Sequence, residues 1–381
     1  MADHVYTTCG RELPGTASPA LLFQKWQAYD RFECDPQDNS KKAFETKPSR
    51  KHFLRLVANT VQNVVEGQNY KTWFDRYNST LINGLGAKSI GDYATRWRLL
   101  VGYSTNSTLE SGVTLHHLYG FPYIPGSAVK GLLHHVAEML VMEGIADVAG
   151  NAVHLSKKVK INIQQSPPEE LTNALAYLKL VKALFGSLHL EQGQNKEGTE
   201  KYGSKPPLTV LEKAKGSLAR DIKDANLTPS TLPKEWQTIW KDLQWLTGDN
   251  TGGLLRFYDA VPSKGEKDLL ELDILNPHYP EYYKENSSTP PSDDQSPNPV
   301  LFLAVRPGVK FRFYYYSEFE RILSCHDDEA EKIKKALSGW NEEKINQQIE
   351  NWLKTALGEW GIGAKTAAGY GYFNTGLFSY D

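Results

Sequence analysis

Apolar residues recur every three to four positions between 345 and 360, as Ile345, Ile349, Trp352, Leu353, Ala356, Leu357 and Trp360. This spacing predicts an amphipathic helix buried along one stripe. The stripe runs into Gly361-Ile362-Gly363-Ala364-Lys365-Thr366-Ala367-Ala368-Gly369-Tyr370-Gly371-Tyr372-Phe373. The aromatic residues that close this run, followed by Leu377 and Phe378, predict a terminal strand. A second stripe, Phe53, Leu56, Val57, Val61, Val64 and Val65, predicts a helix over 52–81, starting after Pro48-Ser49. A third, Val129, Leu132, Leu133, Val136 and Leu140, predicts a helix from 126 behind Pro125, with Ser127 where a cap is expected. Helical spacing also marks 171–185, ended by Gly186-Ser187, and the stretch around Trp236, Ile239, Trp240 and Leu243.

Alternating patterns predict the strands. Residues 93–103 set Arg96 and Arg98 against Trp97 and Leu99, and 113–123 reads as a second extended segment ending in prolines. Strand signals return at 253–261 and 269–275, while 300–305 and 309–316 predict a hairpin about Pro307-Gly308. The polar stretches are residues 1–50, with one amphipathic piece at 21–26, the run 191–207, and a Ser/Pro/Asp/Asn loop at 284–299. Without these insertions the order is strand, helix, strand, strand, helix, strand. That order predicts an α+β, ferredoxin-like (RRM-like) fold, an antiparallel sheet backed by two helices. The chain reads as a partly helical N-terminal extension, 1–90, and one elaborated domain, 91–381, carrying a mainly helical insertion at about 145–250.

Composition narrows the chemistry. With 43 basic and 45 acidic side chains the net charge is −2, whereas a free-standing nucleic-acid binder carries a basic excess. Any contact with RNA is therefore local or shared between subunits. Cys9, Cys34 and Cys325 are scattered, with no C-x-x-C pair, so neither a disulfide framework nor a zinc site is expected. With no 18-residue apolar run and no charged-then-apolar N-terminal pattern, a cytoplasmic protein without membrane contact is expected.

Two places suit an anion. The four glycines Gly361, Gly363, Gly369 and Gly371 exceed what a helix C-cap needs, and they bracket Lys365 and Thr366. Backbone amides there can approach a phosphate closely. The run superficially resembles a P-loop, but Ala364 intervenes, and it follows a helix where a P-loop follows a strand; NTP hydrolysis is rejected. The second place is the start of the helix at Gly126, where Ser127 and Lys130 share the first turns. A cation there opposes the helix dipole, and a bound anion would reverse that penalty. His116-His117 and His134-His135 tempt a nuclease reading. Neighbouring histidines face opposite sides of a strand, or sit about 100° apart on a helix, so neither pair is a ready acid–base couple. Asp259, Asp273 and His278 read as capping, sheet-edge or structural groups, so no catalytic residue, metal or cofactor is expected. Tyr282, Tyr283, Tyr314, Tyr315 and Tyr316 would suit either sheet packing or a protein interface.

Several of these motifs together resemble the RAMP proteins of CRISPR systems, in particular those of type III-B (Cmr) effector complexes. They are Ile124-Pro125-Gly126-Ser127-Ala128-Val129-Lys130-Gly131, Phe185-Gly186-Ser187, the run 253–262, Asp273-Ile274-Leu275-Asn276-Pro277-His278-Tyr279, and the terminal glycine loop. They span roughly 93–380 in the family's order. The resemblance implies a non-catalytic subunit that contacts guide (CRISPR) RNA, meets complementary target RNA, and neighbours other RAMP subunits of the complex. It places Gly126, Ser127, Lys130, Gly361, Gly363, Lys365, Thr366, Gly369 and Gly371 along the guide backbone. It also suggests that 116–123, with His116 and His117, corresponds to the family's extended thumb hairpin. Two other readings stand beside it: a guide-processing endoribonuclease and a protein-only scaffold.

Overall fold

The computed structural model describes residues 19–20, 31–34, 42–45, 47–103, 112–143, 161–187, 206–248, 251–276, 290 and 299–376. The amphipathic piece at 21–26, the run 191–205, most of the 284–299 loop, Tyr282, Tyr283, Leu377 and Phe378 lie outside them. In chain order come β1 (Arg31–Cys34), β2 (Lys42–Glu45), α1 (Lys47–Glu66), α2 (Gln68–Ser79) and β3 (Lys88–Thr95). Four helices follow: α3 (Gly126–Glu143), α4 (Glu169–Phe185), α5 (Pro206–Asp224) and α6 (Lys234–Leu246). Then come β4 (Leu255–Phe257), β5 (Val261–Pro262), β6 (Leu270–Leu275), β7 (Val300–Val305) and β8 (Lys310–Ser317). The chain closes with α7 (Phe319–Leu323), α8 (Asp328–Ala336), α9 (Glu342–Thr355) and β9 (Phe373–Asn374). Two compact units result, one from Met1–Pro125, Asp259–Tyr314 and Leu357–Asp381, the other from Gly126–Tyr258 and Tyr315–Ala356.

In the first unit, α1 turns Leu54, Val57, Val61 and Val65 inward and packs on the hairpin β6–β7. The helix expected over 52–81 is two helices. Gly67 ends α1 and takes an extended ψ of 153°, so α2 leaves in a new direction and closes in a π-helical turn, Thr80–Gly84. The strand expected at 93–103 lies at 88–95 instead. Its ladder is set by its neighbours, with Ala94 opposite Asn374 and Thr95 opposite Phe373 on β9. Asp92 meets Arg312 of β8 in a two-pronged ion pair, Nε–Oδ1 2.5 Å and Nη2–Oδ2 2.8 Å. Burial pushes the Asp92 carboxyl up, and the guanidinium outweighs it, holding the group below its usual value.

The hairpin expected about Pro307-Gly308 does not form. β7 pairs with β6 in the register Leu270↔Val305 to Leu275↔Val300, while β8 belongs to another sheet, where β5 pairs with it as Val261↔Arg312 and Pro262↔Phe311. The turn instead carries the chain from one sheet to the other, and buried Thr95 holds it there. The Thr95 amide donates to the Val309 carbonyl at 2.9 Å, and the Thr95 carbonyl accepts from Gly308 at 2.7 Å. Its hydroxyl donates to the Arg306 carbonyl at 2.7 Å and accepts from the Val309 amide at 3.1 Å. These bonds satisfy the turn where hairpin pairing with β7 would have done so. The extended segment expected at 113–123 is a tight turn, closed by the single bridge Leu115↔Pro122.

The second unit is mostly helical. α3 packs on α4, α5, α9 and β4, and α9 is capped by Asn341, whose side chain accepts from the Lys344 amide at 2.9 Å. Lys182 is fully buried on α4. Its ammonium donates to the Trp245 carbonyl near the C-terminus of α6, where the helix dipole favours a cation. β4 pairs with residues 315–317 of β8 in this unit.

The Thr95 clamp is the feature most easily tested. Thr95→Val keeps the shape and strands the Arg306 and Val309 groups in the core. The expected loss is about 1–3 kcal/mol, read as a lower urea midpoint at unchanged slope.

Candidate nucleic-acid interface

The glycine loop is an exit from a helix. After α9 the chain makes one π-helical turn, Ala356–Trp360, and then a series of left-handed residues. Lys365 is itself left-handed, at φ 60°, and caps a short 3₁₀ turn, Thr366–Ala368. Two glycines are demanded by the protein's own backbone. A Cβ on Gly363 would lie 2.4 Å from the Leu100 carbonyl oxygen, and one on Gly371 would lie 2.0 Å from that of Ile362. The loop is bonded to the segment after β3: Ala364 N donates to Leu100 O and Gly371 N to Arg98 O, both at 2.7 Å. Ile362 N donates to Gly371 O at 2.9 Å and closes the loop at its neck. Among the described residues the amides of Gly363, Lys365, Thr366 and Ala367 have no carbonyl acceptor. At Gly369 an added Cβ would meet nothing within 4 Å.

Lys365 stands among three aromatic rings, its ammonium 5.0 Å from the Tyr103 centroid, 4.8 Å from Phe302 and 5.8 Å from Tyr370. Burial pushes its pKa down, and the nearby Asp273 carboxylate opposes that shift. Tyr370 donates its phenol to Asp273, and its own pKa is pushed up to about 12, by burial first and then by that bond. Around the loop Arg98 pairs with Glu271 at 2.5 Å and Asp273 at 3.4 Å, and Arg306 with Glu271 at 3.4 Å. Most of the cationic charge here is compensated, which leaves the amides and Lys365 as the groups suited to an anion.

Gly126, Ser127 and Lys130 belong to the second unit. A Cβ on Gly126 would sit 2.2 Å from the Phe257 carbonyl oxygen, so this glycine lets α3 begin against β4. The helix starts at Gly126, which places exposed Ser127 inside its first turn. Lys130 is half-buried beside Arg256. Burial, and then the like charge of Arg256, push its pKa down. Two cations near a helix N-terminus repel each other and the dipole, and an anion relieves both penalties. Arg256 is in turn paired with the buried carboxylate of Glu318, which Arg321 also meets.

His116 and His117 lie in the turn of the first unit. The His116 ring stacks on Phe121 at 4.7 Å and packs edge-on to Trp73, and its Nδ1 accepts from the Tyr119 amide at 3.3 Å. Burial lowers its pKa, Asp259 opposes the shift, and His117 adds to it. His117 is exposed. His134 is buried on α3, its ring parallel to Phe185 at 5.1 Å and its Nε2 3.2 Å from Glu138. Among the described residues no group of three or more His, Cys, Asp or Glu is placed to hold a metal ion. Spacing along the sequence missed Tyr103 and Phe302 around Lys365, and Arg256 beside Lys130, because these come from elements distant in the chain where no local pattern could have found them; Tyr370 lies in the glycine loop itself.

The family model of the RAMP superfamily matches residues 90–374, and the chain belongs to that family. Its α+β architecture is the family's ferredoxin-like fold in elaborated form. The CRISPR system Cmr subunit Cmr6 of Pyrococcus furiosus is 29% identical over 308 residues, 79% of this chain and 72% of that protein. Cmr6 of Saccharolobus solfataricus is 34% identical over 70 residues, 18% of this chain and 22% of its own. The crystal structure of Cmr6 from Pyrococcus furiosus covers 75% of this chain and 97% of its own at 24% identity, with a TM-score of 0.31.

The two kinds of glycine separate by substitution. Gly369→Ala carries only the strain of a left-handed alanine, about 1 kcal/mol. Gly371→Ala also drives a methyl group into the Ile362 carbonyl and costs on the order of 3 kcal/mol. Thermal unfolding of the two variants measures the difference.

Proposed function

We propose that this chain is a non-catalytic, RNA-binding subunit of a type III-B CRISPR (Cmr) ribonucleoprotein effector complex of the cytoplasm. In this reading it grips guide RNA by its backbone, beside other RAMP subunits, where target RNA pairs with the guide in antiviral defence. The observation that carries it is the loop at 363–367, where among the described residues the amides of Gly363, Lys365, Thr366 and Ala367 have no carbonyl acceptor and Lys365 itself holds its ammonium over aromatic rings. Amides and an ammonium bind phosphate whatever base is attached, as a subunit that serves many guides requires. The Lys130–Arg256 pair offers a second anion-seeking place on the other unit. The similarity to Cmr6 supports the choice of complex. A net charge of −2 suits a channel whose cationic lining is divided among subunits.

The nuclease alternative finds little support. His134 is buried against Phe185, and the Nδ1 of His116 is engaged by the turn. A scaffold built on the tyrosines loses two of them, because Tyr314 and Tyr315 are buried. Tyr314 donates to Asn78 at 2.9 Å, and Tyr315 donates to Asn346.

Replacing Lys130 and Lys365 together by Ala is expected to leave assembly intact and to cut crosslinking to guide RNA about tenfold. The log–log salt slope of RNA binding should shrink by roughly 0.7 for each lost phosphate contact. Unchanged RNA contact would favour the scaffold. The purified chain is expected to leave single-stranded RNA uncut with or without Mg²⁺. Cleavage that disappears in His134→Ala would overturn the non-catalytic assignment.

A further inference from the structure

We infer that the indole of Trp97 is a stacking platform for one unpaired base of single-stranded RNA, set at the edge of the glycine loop. The inference rests on the RNA-binding reading above and extends it from backbone to base. Trp97 is 46% exposed, a large apolar surface left in water. It is nevertheless held in place. The Arg98 guanidinium lies over its ring at 4.8 Å, and that guanidinium is fixed by Glu271 at 2.5 Å and Asp273 at 3.4 Å. One face of the indole is thus covered by a cation that is itself clamped.

The backbone on either side of Trp97 is tied to the loop. Arg96 N donates to Tyr372 O, and Gly371 N donates to Arg98 O, both at 2.7 Å. The ring therefore stands one residue from the strand of chain that supports the open amides and Lys365. Arg96, exposed, lays its own guanidinium 5.1 Å from the Tyr372 ring centroid. Among the described residues nearby, Arg98, Arg306 and Lys365 are interleaved with the carboxylates Asp268, Glu271 and Asp273. An uncharged planar base stacks on such an indole without regard to its identity, while its phosphate falls to the neighbouring amides. The neighbouring amides, without carbonyl acceptors among the described residues, favour a phosphate-bearing partner over a purely apolar one.

The experiment compares binding of a single-stranded oligouridine and of its abasic counterpart, using full-length wild type, Trp97→Ala and Trp97→Phe. Wild type is expected to prefer the base-bearing strand about five- to a hundredfold, the range of one base–aromatic stack. Trp97→Ala should lose that preference, keep its affinity for the abasic strand and keep its salt slope. Trp97→Phe should retain most of the preference. If wild type binds RNA and Trp97→Ala discriminates equally well, the stack is wrong and the backbone grip stands. If Trp97→Ala disturbs only subunit association, the ring belongs to a protein interface and the inference fails. Absence of any RNA binding by wild type removes both readings.

Discussion

Between the 361–371 loop and the segment after β3, backbone approaches backbone more closely than any side chain permits. Gly363 lies on the Leu100 carbonyl, and Ala364 and Gly371 donate to Leu100 and Arg98. With the loop pinned at both ends, Lys365 is forced into a left-handed conformation and its ammonium into the ring of Tyr103, Phe302 and Tyr370. The same contacts place Tyr370 on Asp273 and bring Arg98 to the acidic pair that orients it over Trp97. Among the described residues the amides of Gly363, Lys365, Thr366 and Ala367 remain without carbonyl partners, because the loop spends its bonds at Ala364 and at its neck.

The electrostatics follow from burial rather than from total charge. Lys365 and Lys130 both have lowered pKa values because each ammonium is partly withdrawn from water, one under aromatic rings and one beside Arg256. A cation held in that way is poorly solvated and gains more from an approaching phosphate than a freely hydrated lysine does. Most other cations near the loop are already matched by Glu271, Asp273 or Asp268. The proposed RNA contact in a chain of net charge −2 would draw on these two partly desolvated lysines.

Legibility varied with how local the governing forces were. The stripe ending at Trp360 and those of α3, α4 and α6 were readable because one-sided burial of a helix imprints its period on the sequence. β6, β7 and β8 were located nearly to the residue, yet the partners of β7 and β8 were misassigned. Pro307-Gly308 is good turn chemistry for a hairpin, and nothing nearby reveals that Thr95, more than two hundred residues away, captures the turn for another sheet. α5 escaped notice although Leu211, Ala214, Leu218 and Ile222 are buried along it. Pro206-Pro207 and Gly216 interrupt a stretch otherwise crowded with charge. β3 was misplaced because Lys88, Ser89, Gly91 and Asp92 have little strand propensity, and only pairing with its neighbours and with Arg312 makes them a strand.

The amino-acid sequence by itself determined the α+β class, most helices and strand positions, and the two places where lysine meets glycine-marked chain. Those properties depend on periodicity and on residue chemistry within a few turns. Tertiary structure alone decided which strands pair, which glycines serve the protein's own backbone, what surrounds each lysine, and that Trp97 is left exposed over a clamped arginine. Each of those depends on groups brought together from far along the chain, where the energy lies in contact geometry and desolvation and leaves no local period to read.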